Sequence, residues 1–107
     1  MELSVIVPTY NNRDVLRETL RALRGQALAD ERYEIVVVDD GSRDGTAEMV
    51  AELSAGPGAA IRYVAQPNRG RSAARNLGIR SAHGRLIIFV DSDLWAAPTM
   101  LAEHLAH

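Results

Sequence analysis

Asp91 and Asp93 stand one residue apart, in Asp91-Ser92-Asp93, directly after the apolar run Leu86-Ile87-Ile88-Phe89-Val90. Two carboxylates at a strand end offer the oxygen ligands that Mg²⁺ and Mn²⁺ prefer. A divalent cation held there neutralises a diphosphate. A second acidic strand end lies upstream, in Glu34-Ile35-Val36-Val37-Val38-Asp39-Asp40-Gly41-Ser42. Gathered acids repel, so placing four together costs stability unless a cation joins them. The bland alternative is a capped strand-to-helix turn, where Asp is common. Two acidic tips on neighbouring strands favour a nucleotide-diphosphate site at one edge of an α/β sheet.

Other side chains extend that expectation. Asp40 can accept hydrogen bonds from a nucleobase or ribose, although Asp40-Gly41 also suits a simple turn. Tyr10 can stack on a base or pack on a rim. Arg69, Arg71 and Arg75 surround the start of a helix, and a helix N-terminus with nearby guanidinium groups suits a pyrophosphate. Arg80 and Arg85 fit a solvated face equally well. His83, His104 and His107 show no ligand spacing, and Trp95 either lines a sugar pocket or simply packs.

The elements that position these residues follow from pattern. Leu3 to Pro8 reads as a buried strand, and Asn11 or Asn12 is placed to cap the helix after it. Leu16, Leu20, Leu23 and Ala27 recur at helical spacing, with Gly25 near the end. Tyr33 to Val38 forms a second strand. A turn at Gly41 to Gly45 leads to a helix with Met49, Val50 and Leu53 inward. Ala55-Gly56-Pro57-Gly58 breaks it, and Ile61 to Val64 gives a third strand. A helix from about Gly70 to Ala82 carries the small residues Ala73, Ala74 and Gly78. Leu86 to Val90 reads as a buried fourth strand, and Pro98 opens a last helix through Leu101 and Leu105. This alternation predicts an α/β, Rossmann-like, mostly parallel sheet with helices on both faces. Ligands of such sheets sit beyond the carboxyl ends of the strands, where Thr9-Tyr10-Asn11, Asp39-Asp40 and Asp91-Ser92-Asp93 all fall.

Composition narrows the chemistry. The 107 residues suit one domain, residues 1–107. All 12 basic residues are Arg, against 14 acidic ones, so the net charge of -2 gives no nucleic-acid signature and no mechanism can use a lysine. The absence of Cys excludes disulfides and thiolate catalysis. No leader pattern and no apolar run of ~20 residues is present, so a soluble, cytoplasmic chain is expected, membrane-associated at most in a fuller form. There is no G-x-G-x-x-G after a strand, no P-loop and no G-x-S-x-G elbow.

Taken together these stretches resemble the family 2 glycosyltransferases, which have the GT-A fold. The resemblance rests on Ser4-Val5-Ile6-Val7-Pro8-Thr9-Tyr10-Asn11, on Ile35 to Thr46 and on Asn68-Arg69-Gly70. It continues through Ala74-Arg75-Asn76-Leu77-Gly78 and Gly84 to Asp93, with Pro98 and Leu101. It implies a partial GT-A fold, a UDP-, GDP- or dTDP-sugar donor and a divalent metal, Mg²⁺ or Mn²⁺. Carried across by position, Pro8, Tyr10 and Asp40 contact base and ribose, and Asp39 is supporting. Arg71 approaches the base or diphosphate. Asp91 lies near the ribose and a metal-bound water, and Asp93 is the direct metal ligand.

The family implies inversion at the anomeric carbon, with an acceptor hydroxyl deprotonated by a carboxylate base. That base and the acceptor elements normally follow the D-x-D motif by a long interval. Here 14 residues follow Asp93. The base is expected beyond His107, and Glu103 is not assigned to it. Leu94 replaces an acid that many relatives carry. The chain is therefore expected to be the donor-binding half of a longer enzyme, with an exposed apolar edge that favours a homo-oligomer. The alternatives are a nucleotide-sugar-binding module without turnover, or an inactive, truncated fragment, and, more remotely, a haloacid-dehalogenase-type phosphatase or a receiver domain. Both remote readings need a lysine.

Overall fold

The computed structural model describes residues 1–91. Asp93, Leu94, Trp95, Glu103, His104, His107 and the helix expected from Pro98 lie outside the described residues. The elements in chain order are β1 (Leu3–Thr9), α1 (Arg13–Arg24), a 3₁₀ turn (Asp30–Arg32), β2 (Tyr33–Asp39), α2 (Thr46–Ser54), β3 (Ala60–Ala65), α3 (Arg71–Ser81) and β4 (Leu86–Phe89). The strands form one parallel sheet in the order β3-β2-β1-β4. The chain winds outward from β1 to β3, then crosses back to lay β4 on the other side of β1. That reversal creates a crevice between the carboxyl ends of β1 and β4, the usual ligand position in open α/β sheets.

The central strands β1 and β2 are buried on both faces because helices cover both. On one face Leu3, Val5 and Val7 of β1 and Ile35 and Val37 of β2 pack against Leu16, Leu20 and Leu23 of α1 and Met49 and Val50 of α2. Each fully buried leucine contributes about 1.5–3 kcal/mol of transfer free energy. On the other face Ile6, Val36 and Val38 meet Ala74 of α3. Helix α3 lies close to the sheet, because a Cβ on Gly78 would stand 2.4 Å from Ile6 Cγ2. The small residues of this helix serve that approach, Ala74 and Gly78 most directly.

Three local expectations change. Helix α1 ends at Arg24, so Ala27 lies beyond it, exposed in the following loop. Neither Asn11 nor Asn12 caps α1 through its side chain. The cap comes from the β2–α2 loop, where Asp44 Oδ2 accepts the Arg13 N–H at 3.0 Å. Strand β4 is not buried. It sits at a sheet edge, with Leu86 41% and Phe89 37% exposed. Its apolar run matches a covered strand, but among the described elements only β1 lies beside it.

Candidate functional site

A cavity of about 530 Å³ opens beyond the carboxyl ends of the strands. Pro8, Thr9, Tyr10 and Asn12 from the end of β1 and its loop line it. Asp40 after β2, Asn68 before α3, Arg71, Ala74 and Arg75 on α3, and Asp91 after β4 complete the lining. All five described residues expected to meet a nucleotide sugar, Pro8, Tyr10, Asp40, Arg71 and Asp91, therefore surround one space. Arg75, grouped with Arg69 and Arg71 as a guanidinium group suited to a pyrophosphate, lies one helical turn beyond Arg71 in the same lining. Asn12 and Asn68 join the lining with no contact expected from the sequence, and Thr9 joins it as part of the polar Thr9-Tyr10-Asn11 tip.

Asp39 departs from the four-acid cluster. Adjacent residues of a strand point to opposite faces. Asp39 therefore shares the α1–α2 face, 1% exposed, and takes no part in the lining. Its Oδ1 accepts the Ser42 N–H at 2.9 Å, and its Oδ2 accepts the Tyr63 hydroxyl at 2.5 Å. Both of its oxygens are thus bonded to the protein's own groups. Among the described residues no group of three or more His, Cys, Asp and Glu gathers as a metal cage.

Asp40 faces the α3 side. Burial raises its carboxyl pKa, but hydrogen bonds outweigh that and leave it below the ordinary aspartate value. The donors are the Arg69 N–H (2.8 Å), Gln66 Nε2 (2.8 Å) and the Gly70 N–H (3.1 Å). The Asp40 carboxylate therefore holds the two backbone N–H groups that lead into α3. Two oxygens carry about four lone-pair sites, so these three bonds leave Asp40 one acceptor site. Its neighbours at the cavity include two guanidinium-bearing residues, Arg71 and Arg75. The Arg75 guanidinium carbon stacks 4.9 Å from the Phe89 ring centroid, which ties that side chain to β4. Tyr10 presents a half-exposed ring. Thr9 is 4% exposed, and among the described residues its buried Oγ1 has no hydrogen-bond partner at the same cavity.

The lining supplies oxygen donors, one acidic residue at the β4 tip, and a basic helix face. That donor set fits Mg²⁺ or Mn²⁺, which are commonly held by one or two carboxylates together with substrate phosphates. Asp91 is the described residue able to serve, and Asp93 lies outside the described residues.

A model of the Glycosyl transferase family 2 matches residues 4–107. The chain belongs to the family 2 glycosyl transferases. It is 38% identical over 105 residues to the uncharacterized glycosyltransferase YfnE of Bacillus subtilis, covering 98% of this chain and 26% of the relative. It is 41% identical over 106 residues to a validoxylamine A glucosyltransferase of Streptomyces hygroscopicus, covering 97% of this chain and 23% of that one. Among solved structures it resembles S. aureus TarS 1–349 in complex with UDP-GlcNAc, with TM-score 0.91 and 33% identity. That match covers 99% of this chain and 30% of TarS 1–349. It likewise resembles the mannosyltransferase PcManGT of Pyrobaculum calidifontis in complex with GDP-Man and Mn²⁺, with TM-score 0.90 and 34% identity. There 97% of this chain and 31% of the other are covered. This family 2 chain thus has the GT-A-like parallel sheet of its neighbours, and it spans about a quarter of the length of the curated relatives it matches. No described helix is long and apolar enough to cross a membrane.

Proposed function

We propose that this family 2 chain forms the donor-binding part of an inverting, metal-dependent glycosyltransferase that uses a nucleotide-diphosphate sugar. The observation that carries the reading is the convergence of Pro8, Tyr10, Asp40, Arg71 and Asp91 on one cavity. Tyr10 offers a ring face to the base, beside the rigid Pro8. The remaining acceptor site on Asp40 takes a base N–H or a ribose hydroxyl. Arg71 and Arg75 meet the charge of the diphosphate. Asp91 and Asp93 would hold Mg²⁺ or Mn²⁺, which supplies charge neutralisation for the leaving nucleotide diphosphate. The acceptor hydroxyl attacks the anomeric carbon, the bond to the diphosphate oxygen breaks, and a carboxylate base expected beyond His107 takes the proton.

Neighbours in complex with UDP-GlcNAc and with GDP-Man and Mn²⁺ support both the ligand class and the metal. Titration with UDP, GDP and dTDP, with and without Mn²⁺, tests the reading. Metal-enhanced nucleotide binding is expected, and no binding of any nucleotide defeats it. A transfer assay beside the titration separates an enzyme from a binding module, which would bind without turnover. The exposed edge at β4 is expected to drive self-association, and a monomer at high concentration in a sizing experiment counts against that.

A further inference from the structure

Tyr63 and Asp39 stand outside the cavity lining, yet they anchor a chain of hydrogen bonds that reaches it. The Tyr63 hydroxyl and the Ser42 N–H occupy one oxygen each of the buried Asp39 carboxylate. Ser42 Oγ in turn accepts the Asn11 N–H at 2.7 Å. Asn11 Oδ1 accepts the Arg43 N–H at 2.8 Å. Asn11 has φ 45°, a left-handed conformation that a non-glycine residue adopts at a cost and that Asn tolerates better than most. Its backbone and its side chain are thus both fastened to the β2–α2 loop. The next residue back along the chain is Tyr10, whose ring lines the cavity.

We propose that Tyr63 is a positioning residue for Tyr10, acting through Asp39, Ser42 and Asn11. The inference rests on the donor-site reading above and adds a residue on the third strand that the site itself does not contain. Burial, reinforced by Asp39, raises the Tyr63 pKa, so the phenol remains a donor throughout the neutral range. Without that hydroxyl, the Oδ2 of the 1%-exposed Asp39 carboxylate has lost its protein partner, and the carboxylate turns to find another. The Ser42 N–H then loses its fixed acceptor, and the tether on Asn11 slackens. Tyr10 keeps its place in the sequence but not a single orientation.

The test uses the 107-residue chain and the near-isosteric change Tyr63→Phe. Calorimetric titration with UDP and with GDP, each with Mn²⁺, is expected to show nucleotide affinity weakened about three- to tenfold. Affinity for inorganic pyrophosphate with Mn²⁺ is expected to stay unchanged, because the base contact alone is disturbed. In a Tyr10→Ala background Tyr63→Phe should produce no further loss. Parent-like nucleotide affinity in Tyr63→Phe, or an equal loss in the Tyr10→Ala background, overturns the proposal. Hydrogen exchange supplies a readout free of ligand. Tyr63→Phe should accelerate exchange of the Asn11 amide, as Ser42→Ala does directly, and leave the Ala74 amide of α3 unchanged. Should the parent chain bind no nucleotide, the donor-site reading fails by itself. The Asn11 amide then decides the relay, with unchanged exchange overturning it.

Discussion

Glu34 and Asp40 stand at opposite ends of β2, on the same face of the sheet, and do the same mechanical job with different consequences. Each is a buried carboxylate that grips one end of α3. Asp40 holds the entry through the N–H groups of Arg69 and Gly70. Glu34 holds the exit through the His83 N–H at 2.7 Å. Glu34 is sealed, 1% exposed, and its charge is answered within the protein. Arg62 Nε donates to it at 2.9 Å and Ser4 Oγ at 2.6 Å, while Arg62 also donates to Ser81 O at the end of α3. Ser4 Oγ further accepts the Gly84 N–H at 2.8 Å, binding the α3–β4 turn to β1. Asp40 is 8% exposed and has three neutral donors, with no guanidinium directly paired to it. A carboxylate with an internal counter-charge is finished as structure. One satisfied only by neutral dipoles, beside a cavity, retains charge and an acceptor for something else.

The sharpest way to break that contrast is to remove each carboxylate. Glu34→Ala leaves the Arg62 head, the Ser4 hydroxyl and the His83 N–H without their common acceptor. Since Arg62 is about one-third exposed, the loss is set below the full cost of breaking a buried pair, at about 2–4 kcal/mol, read by urea denaturation. Nucleotide affinity of the folded fraction should be retained. Asp40→Asn should do the reverse. Its stability cost is about 1 kcal/mol, because an amide oxygen still accepts some of the loop donors. Nucleotide affinity should fall about tenfold or more by calorimetric titration. Equal stability losses with unchanged affinity in both variants would erase the distinction.

A milder probe is acid. Burial raises the Glu34 carboxyl, but Ser4, the His83 N–H and Arg62 together bring it below the ordinary glutamate value of 4.5. Asp40 likewise lies below the ordinary 3.8. Unfolded chains therefore take up protons first as pH falls. The stability from these groups is complete above their ordinary values and is lost as pH drops through the folded ones. Melting temperature should fall in that acid range, and Glu34→Gln should flatten the fall relative to the parent. A parent whose melting temperature is level down to pH 3, about a unit below the ordinary carboxylate range, would remove this account of both groups.

The strands and their order along the chain were legible because apolar runs alternate with helical spacing and turn residues. The separation of Asp39 from Asp40 was legible too, since strand side chains alternate faces, although reading the two as one acidic tip conceals it. Arg75 carried a signal in its four-residue spacing from Arg71. Other features depend on residues far apart in sequence. Asp44 caps α1 from the β2–α2 loop, and Glu34 draws its partners from β1, β3 and the α3–β4 turn. No local pattern announces such meetings. The edge position of β4 follows from the sheet order β3-β2-β1-β4, which an apolar run cannot state.

That order has a kinetic consequence. Leu3 aligns with Leu86 across the β1–β4 pairing, so the earliest synthesised of the four described strands stands at the axle of the sheet and pairs with β4 last among them. β1, β2 and β3 can assemble during synthesis, whereas β4 docks only once the crossover through α3 is complete. Such non-local parallel pairing is slow, with rates set by the long loop closure rather than by local helix formation. The crevice beside β1 therefore comes into being with the final docking step, and a ligand that fits it also reports that the sheet has closed.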